Sequence, residues 1–167
     1  MTLDQLNATD VHEAQREFER CCGSTEWAAR MTAARPFAGA DAMLVTADVI
    51  WAALDETDWR EAFAAHPRIG SGGAGGTSAW SAQEQAGVAS ADAEMRDRIT
   101  AKNREYEARF GYIFIVCATG KSADEMLTML EQRLTNDAAA EIRVAAEEQR
   151  KIMQLRLRKL LAESGLR

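Results

Sequence analysis

Polar and apolar positions alternate at helical spacing along most of the chain. Windows 11–21, 25–33 and 40–54 carry apolar residues three and four apart, and Pro36 separates the second from the third. A shorter window, 58–65, reads as a further helix with Thr57 or Asp58 available as its cap. After the run IGSGGAGGTS at 69–78, helical patterns return at 81–89 and 91–110, with Gly111 as a C-terminal stop. Windows 122–134 and 137–162 close the chain as helices.

Residues 112–118, the run YIFIVCA, break the pattern: apolar, aromatic and β-branched side chains follow one another without alternation. Periodicity alone leaves a buried strand and a buried irregular segment both open. No second convincing strand offers itself as a partner, which favours an extended segment threaded through a helical core. Its backbone N–H and C=O groups must then bond outside a ladder, to a ligand among other options. The expectation is an all-α fold, a single-domain bundle of about eight helices with one extended apolar segment at 112–118, covering 1–167.

A length of 167 residues is enough for one full core and leaves little for a second. Hydrophobic residues at 47% and charged residues at 28% are globular proportions, and two prolines in the whole length lean towards helices. A net charge of −6 argues against nucleic-acid binding through a basic surface. It leaves room for an anionic small molecule, because one arginine in a dry pocket outweighs a distant acidic surface. No stretch approaches the roughly 20 apolar residues of a membrane span. Residues 1–10 have neither the basic start nor the apolar run of a secretion signal, and Gly165-Leu166-Arg167 is no peroxisomal address. Cysteines at 21, 22 and 117 form no disulfide framework, so a reducing cytoplasm is expected.

Candidate chemistry is sparse. His12 sits in the charged helical run HEAQREFER and reads as solvated surface. His66 ends a helix before Pro67 and the glycine run. It is either a histidine on a helix dipole or a titrating group at a site. The glycines between 70 and 76 lack the Gly-Lys-Ser/Thr ending of a nucleotide loop. Ser81-Ala-Gln-Glu84 fits a capping box, a role compatible with a carboxylate facing a pocket. In the last helix Ile142, Ala146, Met153, Leu157 and Leu160 share one face, and Arg156 falls within that stripe. A guanidinium there needs a partner, an internal carboxylate or an anionic ligand. No metal-ligand spacing is present, and Cys117 reads as packing rather than as a nucleophile.

Taken in order, these residues resemble one family. His66-Pro67-Arg68-Ile69-Gly70, Ser81-x-x-Glu84-Gln85-Ala86-Gly87 and Asn103-Arg104-Glu105-Tyr106-x-x-Arg109-Phe110-Gly111 are similar to the 2-oxo-4-hydroxy-4-carboxy-5-ureidoimidazoline (OHCU) decarboxylases. So are Cys22-Gly23-Ser24 with Trp27, the run 114–118, Asn136-Asp137 and Leu155-Arg156-Leu157. The resemblance covers essentially the whole chain. It implies an all-α homodimer that turns OHCU into (S)-allantoin and carbon dioxide, without a cofactor or metal, in the last step of urate breakdown. It also implies that His66 is the catalytic acid, with Glu84 as its orienting or proton-accepting carboxylate. Ser81 and Gln85 would then hold the ureido and ring polar atoms. Arg156 would clamp an anionic or carbonyl edge, and Pro67 with Phe114, Ile115, Val116, Cys117 and Ala118 would complete the substrate pocket. One departure stands out: where many members carry a lysine after the His-Pro turn, this chain has Gly72-Gly73-Ala74-Gly75-Gly76. Two rival classes remain, a non-catalytic helical binding module with a related pocket and a metal-dependent hydrolase. Carbon dioxide release separates the first, and the missing ligand spacing disfavours the second.

Overall fold

The computed structural model describes residues 1–69, 83–84, 86–89 and 91–162. Among these residues the secondary structure is helical, with no strand. The helices are α1 (Leu3–Ala8), α2 (Val11–Cys21), α3 (Thr25–Ala33), α4 (Ala40–Ala52), α5 (Glu56–Ala64), α6 (Ala86–Ala89), α7 (Ala93–Phe110), α8 (Ala123–Arg133) and α9 (Ala138–Ala162). The all-α expectation holds.

Helix α1 is the element that periodicity overlooks, because six residues give too few turns for a repeat. It is set by its cap: the Thr2 hydroxyl accepts from the Gln5 N–H, and the Gln5 side chain accepts from the Thr2 N–H. Helix α5 starts earlier than its pattern suggests. Asp55, rather than Thr57 or Asp58, is the cap, its carboxylate accepting from the N–H groups of both those residues at 2.9 and 3.1 Å. Helix α7 ends as expected at Gly111, whose φ of 81° is the left-handed conformation that glycine adopts without a Cβ clash.

The described residues form two compact units, 1–62 with 150–162 and 63–149. In the first, Phe18, Trp27, Met31, Met43, Met153 and Leu157 are buried together with Leu6. Phe18 stands edge-on to Trp27 with 6.0 Å between centroids, and the Trp27 indole N–H donates to the Ala47 carbonyl at 3.2 Å. The end of α9 is tied to α4 by polar contacts, Gln154 donating to the Leu44 carbonyl and Arg150 pairing with Asp48.

In the second unit an aromatic cluster of Tyr106, Phe110, Tyr112 and Phe114 packs at centroid distances of 4.7 to 6.3 Å, with Phe63 against Tyr112 at 5.3 Å. Beside it lies a buried polar network. Glu141, fully buried, accepts from the Tyr106 phenol at 2.5 Å, from Arg133 Nε at 2.7 Å and from Asn136 Nδ2 at 2.9 Å. Arg133 also lies over the Phe114 ring at 4.5 Å. Burial is the main cause that raises the Tyr106 phenol far above its ordinary pKa, so it stays a donor to Glu141.

Candidate active site

Residues 113–118 run through the second unit as neither helix nor strand, and Phe114 to Ala118 are all buried. The carbonyls find side-chain partners instead of a ladder. Arg133 Nη1 donates to the Ile115 carbonyl at 2.5 Å, and Lys121 Nζ donates to the Cys117 carbonyl at 2.7 Å. A turn bond from the Lys121 N–H to the Ala118 carbonyl, 3.0 Å, closes the segment. These bonds satisfy part of the backbone whose partners the sequence leaves open.

His66 follows α5 on a turn, its N–H donating to the Phe63 carbonyl at 3.1 Å, and Pro67 then directs the chain away from the helix. Its ring is half-buried, and Nε2 lies 2.7 Å from Oε1 of Gln149 on α9. Sequence reasoning missed Gln149. The two residues are 83 positions apart, and a glutamine on a helix face carries no signal of its own.

Glu84 is buried at 8% exposure, unusual for a carboxylate. It acts on the Cys117 thiol electrostatically, as do Glu148 and Lys121, so these groups share one neighbourhood. Burial is the main cause that raises the Cys117 thiol above its ordinary range, which suits packing rather than nucleophilic attack. Gly87 sets how closely the helix after Glu84 approaches: a Cβ there would lie 2.2 Å from the Lys121 carbonyl oxygen. Asn103 Nδ2 donates to the Ile69 carbonyl at 3.2 Å and ties α7 to the turn after His66. A nearby cleft of about 410 Å³ lined by Arg68, Ile69, Thr100, Asn103, Arg104 and Glu107 contains neither the imidazole nor the Glu84 carboxylate.

Arg156 lies in the first unit, 3% exposed on the apolar face of α9 as its helical phase predicts. Its Nη1 is 3.5 Å from the Arg20 carbonyl, and its charge acts on the thiols of Cys21 and Cys22. Burial outweighs that charge, so both thiols are held protonated, Cys22 pushed up to about 12. Ser81, Gln85 and the glycines at 72–76 lie outside the described residues. No group of three or more His, Cys, Asp or Glu among the described residues is arranged to hold a metal ion, and no described helix is long and apolar enough to cross a membrane.

Among the described residues the fold thus places a half-buried histidine on a turn, a buried carboxylate and a buried non-helical segment in one helical unit. The chain belongs to the OHCU decarboxylase family, whose profile matches residues 7–158. It is 34% identical over 154 residues to the uric acid degradation bifunctional protein TTL of Arabidopsis thaliana, covering 89% of this chain and 48% of that protein. It is 32% identical over 169 residues to a putative OHCU decarboxylase of Homo sapiens, covering 96% of each. The chain spans about half the length of the first curated relatives it matches. A crystal structure of an OHCU decarboxylase in the presence of (S)-allantoin superposes with a TM-score of 0.78 at 36% identity, over 87% of this chain and 97% of that one.

Proposed function

We propose that the protein, acting as one domain over 1–167, decarboxylates OHCU to (S)-allantoin and carbon dioxide, the last step from urate to allantoin in purine catabolism. The observation that carries this reading is His66, held on its turn against Gln149 in a chain that matches the family across 7–158. The bond to the carboxylate breaks and carbon dioxide leaves. The electron pair passes into the conjugated ring C=N, so the substrate supplies the sink for which other decarboxylases use a cofactor. The ring nitrogen that receives the pair is protonated. The intermediate then takes a proton at the ureido-bearing carbon and gives up its hydroxyl proton as the carbonyl forms, a net uptake of one proton. His66 delivers the proton, and delivery to one face sets the (S) configuration.

Glu84 orients His66 or accepts a proton in this scheme. Pro67 and the backbone of Phe114, Ile115, Val116, Cys117 and Ala118 line the pocket, while Ser81 and Gln85 hold the ureido and ring polar atoms. Arg156 meets an anionic or carbonyl edge of the substrate. These roles come from the family resemblance, as does the homodimer; the cytoplasmic location that completes the proposal comes from the cysteine usage. The test is circular dichroism of the product formed from freshly generated OHCU, with protein dialysed against chelator. Rapid appearance of (S)-allantoin is expected; racemic allantoin at the uncatalysed rate overturns the reading.

A further inference from the structure

Resting on the reading that His66 is the proton donor, we propose that Gln149 is a positioning residue that holds the imidazole in one orientation and one tautomer. Gln149 is fully buried in α9, so its carboxamide is fixed by the helix and by the packing around it. Its Oε1 lies 2.7 Å from His66 Nε2, and because an amide oxygen only accepts, a hydrogen bond there requires the hydrogen on Nε2. The proton that changes hands in catalysis is then the one on Nδ1. A carbonyl acceptor binds Nε2–H in both the charged and the neutral ring. The histidine can therefore give up its proton and regain it without losing its hold. A carboxylate at this position would instead favour the imidazolium. The arrangement follows the general logic of catalytic histidines, where a third group on the far ring nitrogen selects the tautomer.

The assignment is tested by nitrogen-15 correlation spectra of the imidazoles in the full chain. Two histidines are present, and His12 is exposed, so a His12→Gln background leaves His66 alone in the spectrum. The neutral ring is expected as the Nε2–H tautomer in the otherwise unmodified protein, and as a mixture in Gln149→Met. Gln149→Glu keeps an acceptor oxygen and is expected to keep Nε2–H. Gln149→Met should lose about tenfold or more in kcat, with KM changed less than about threefold, since orientation matters most in the transition state. An Nδ1–H tautomer in the unmodified protein overturns the inference whatever the stability of the variants. So does normal kcat in a folded Gln149→Met protein. His66→Ala separates the two levels: if it is inactive while Gln149→Met turns over normally, only the role of Gln149 falls. Normal turnover by His66→Ala removes the proton donor itself, and this inference with it.

Discussion

Arg133 reaches back 18 residues to hold Ile115, its Nη1 donating to the backbone carbonyl at 2.5 Å. That bond supplies one of the carbonyl partners that a neighbouring strand would otherwise give the non-helical segment. The guanidinium is in turn fixed by Glu141, with which it forms an ion pair of 2.6 Å at 7% and 0% side-chain exposure. Removing one member of such a pair strands the other charge. Arg133→Met is therefore expected to lower stability by about 3–5 kcal/mol. The double variant Arg133→Met/Glu141→Met should lose less than the sum of the two singles, since it strands neither charge. Urea unfolding of the four proteins measures both quantities, and strict additivity would show that the pair does not act as a unit.

Gly87 gives a second expectation. A methyl group at that position meets the Lys121 carbonyl at 2.2 Å, and backbone cannot yield as a flexible side chain does. Gly87→Ala should displace α6 and with it Glu84. The expected result is a loss of roughly tenfold or more in kcat/KM, from displacement on the order of an ångström, with helical circular dichroism retained. Wild-type kinetics in this variant would mean that the contact relaxes without moving the carboxylate.

The buried thiols set an alkaline limit. Cys22 ionises near its ordinary 9.0 when unfolded but is pushed up to about 12 in the fold by burial, and Cys21 is raised in the same direction for the same reason. Above pH 9 the unfolded chain loses protons that the folded chain keeps, so unfolding is favoured as pH rises. This part of the stability is whole below pH 9 and drains away towards pH 12. The slope is about 1.4 kcal/mol per pH unit for each such thiol. Urea midpoints measured from about pH 8 to about pH 10.5 should fall, and fall less steeply in Cys22→Ala.

Arg156 tests the substrate clamp. Under the proposal that it meets the substrate, Arg156→Met removes a buried charge at similar volume and should leave Tm equal or higher. Turnover should drop. Arg156→Lys, which keeps the charge but loses the planar fork, should weaken substrate binding about tenfold or more. Allantoin should raise the wild-type Tm with concentration and leave that of Arg156→Met unchanged. An Arg156→Met protein that is much less stable, beside a wild type indifferent to allantoin, assigns the residue to an internal role.

Features that depend on local period and local chemistry are legible in the amino-acid sequence. The apolar stripe of α9 is buried with Arg156 inside it, while Arg143, Lys151 and Arg158 lie exposed, because helical phase alone decides which way each side chain faces. The run 112–118 is non-helical and without strand pairing, as its unbroken apolar composition suggests, and His66 follows the end of a helix. Pairings between distant residues are not legible in this way. Nothing near Gln149 indicates that it meets His66, and nothing local marks Glu141, in the first turn of α9, as the acceptor of a buried network. Such contacts are selected by tertiary packing, which one sequence does not display. The family resemblance supplies the roles of His66, Glu84 and Arg156, where local chemistry leaves each with two readings.

Cys21, Cys22 and Cys117 are free and buried, and the fold raises the pKa of all three thiols. Thiolate is the species that reacts with maleimides and iodoacetamides, so the native thiols should stay silent to these reagents while the protein is folded. A single cysteine placed at Val49, which is 63% exposed on α4, would then carry a fluorophore or spin label in the otherwise native chain. Slow modification of the native thiols would in turn report opening of the packed interior, residue by residue, under conditions where turnover is also measured.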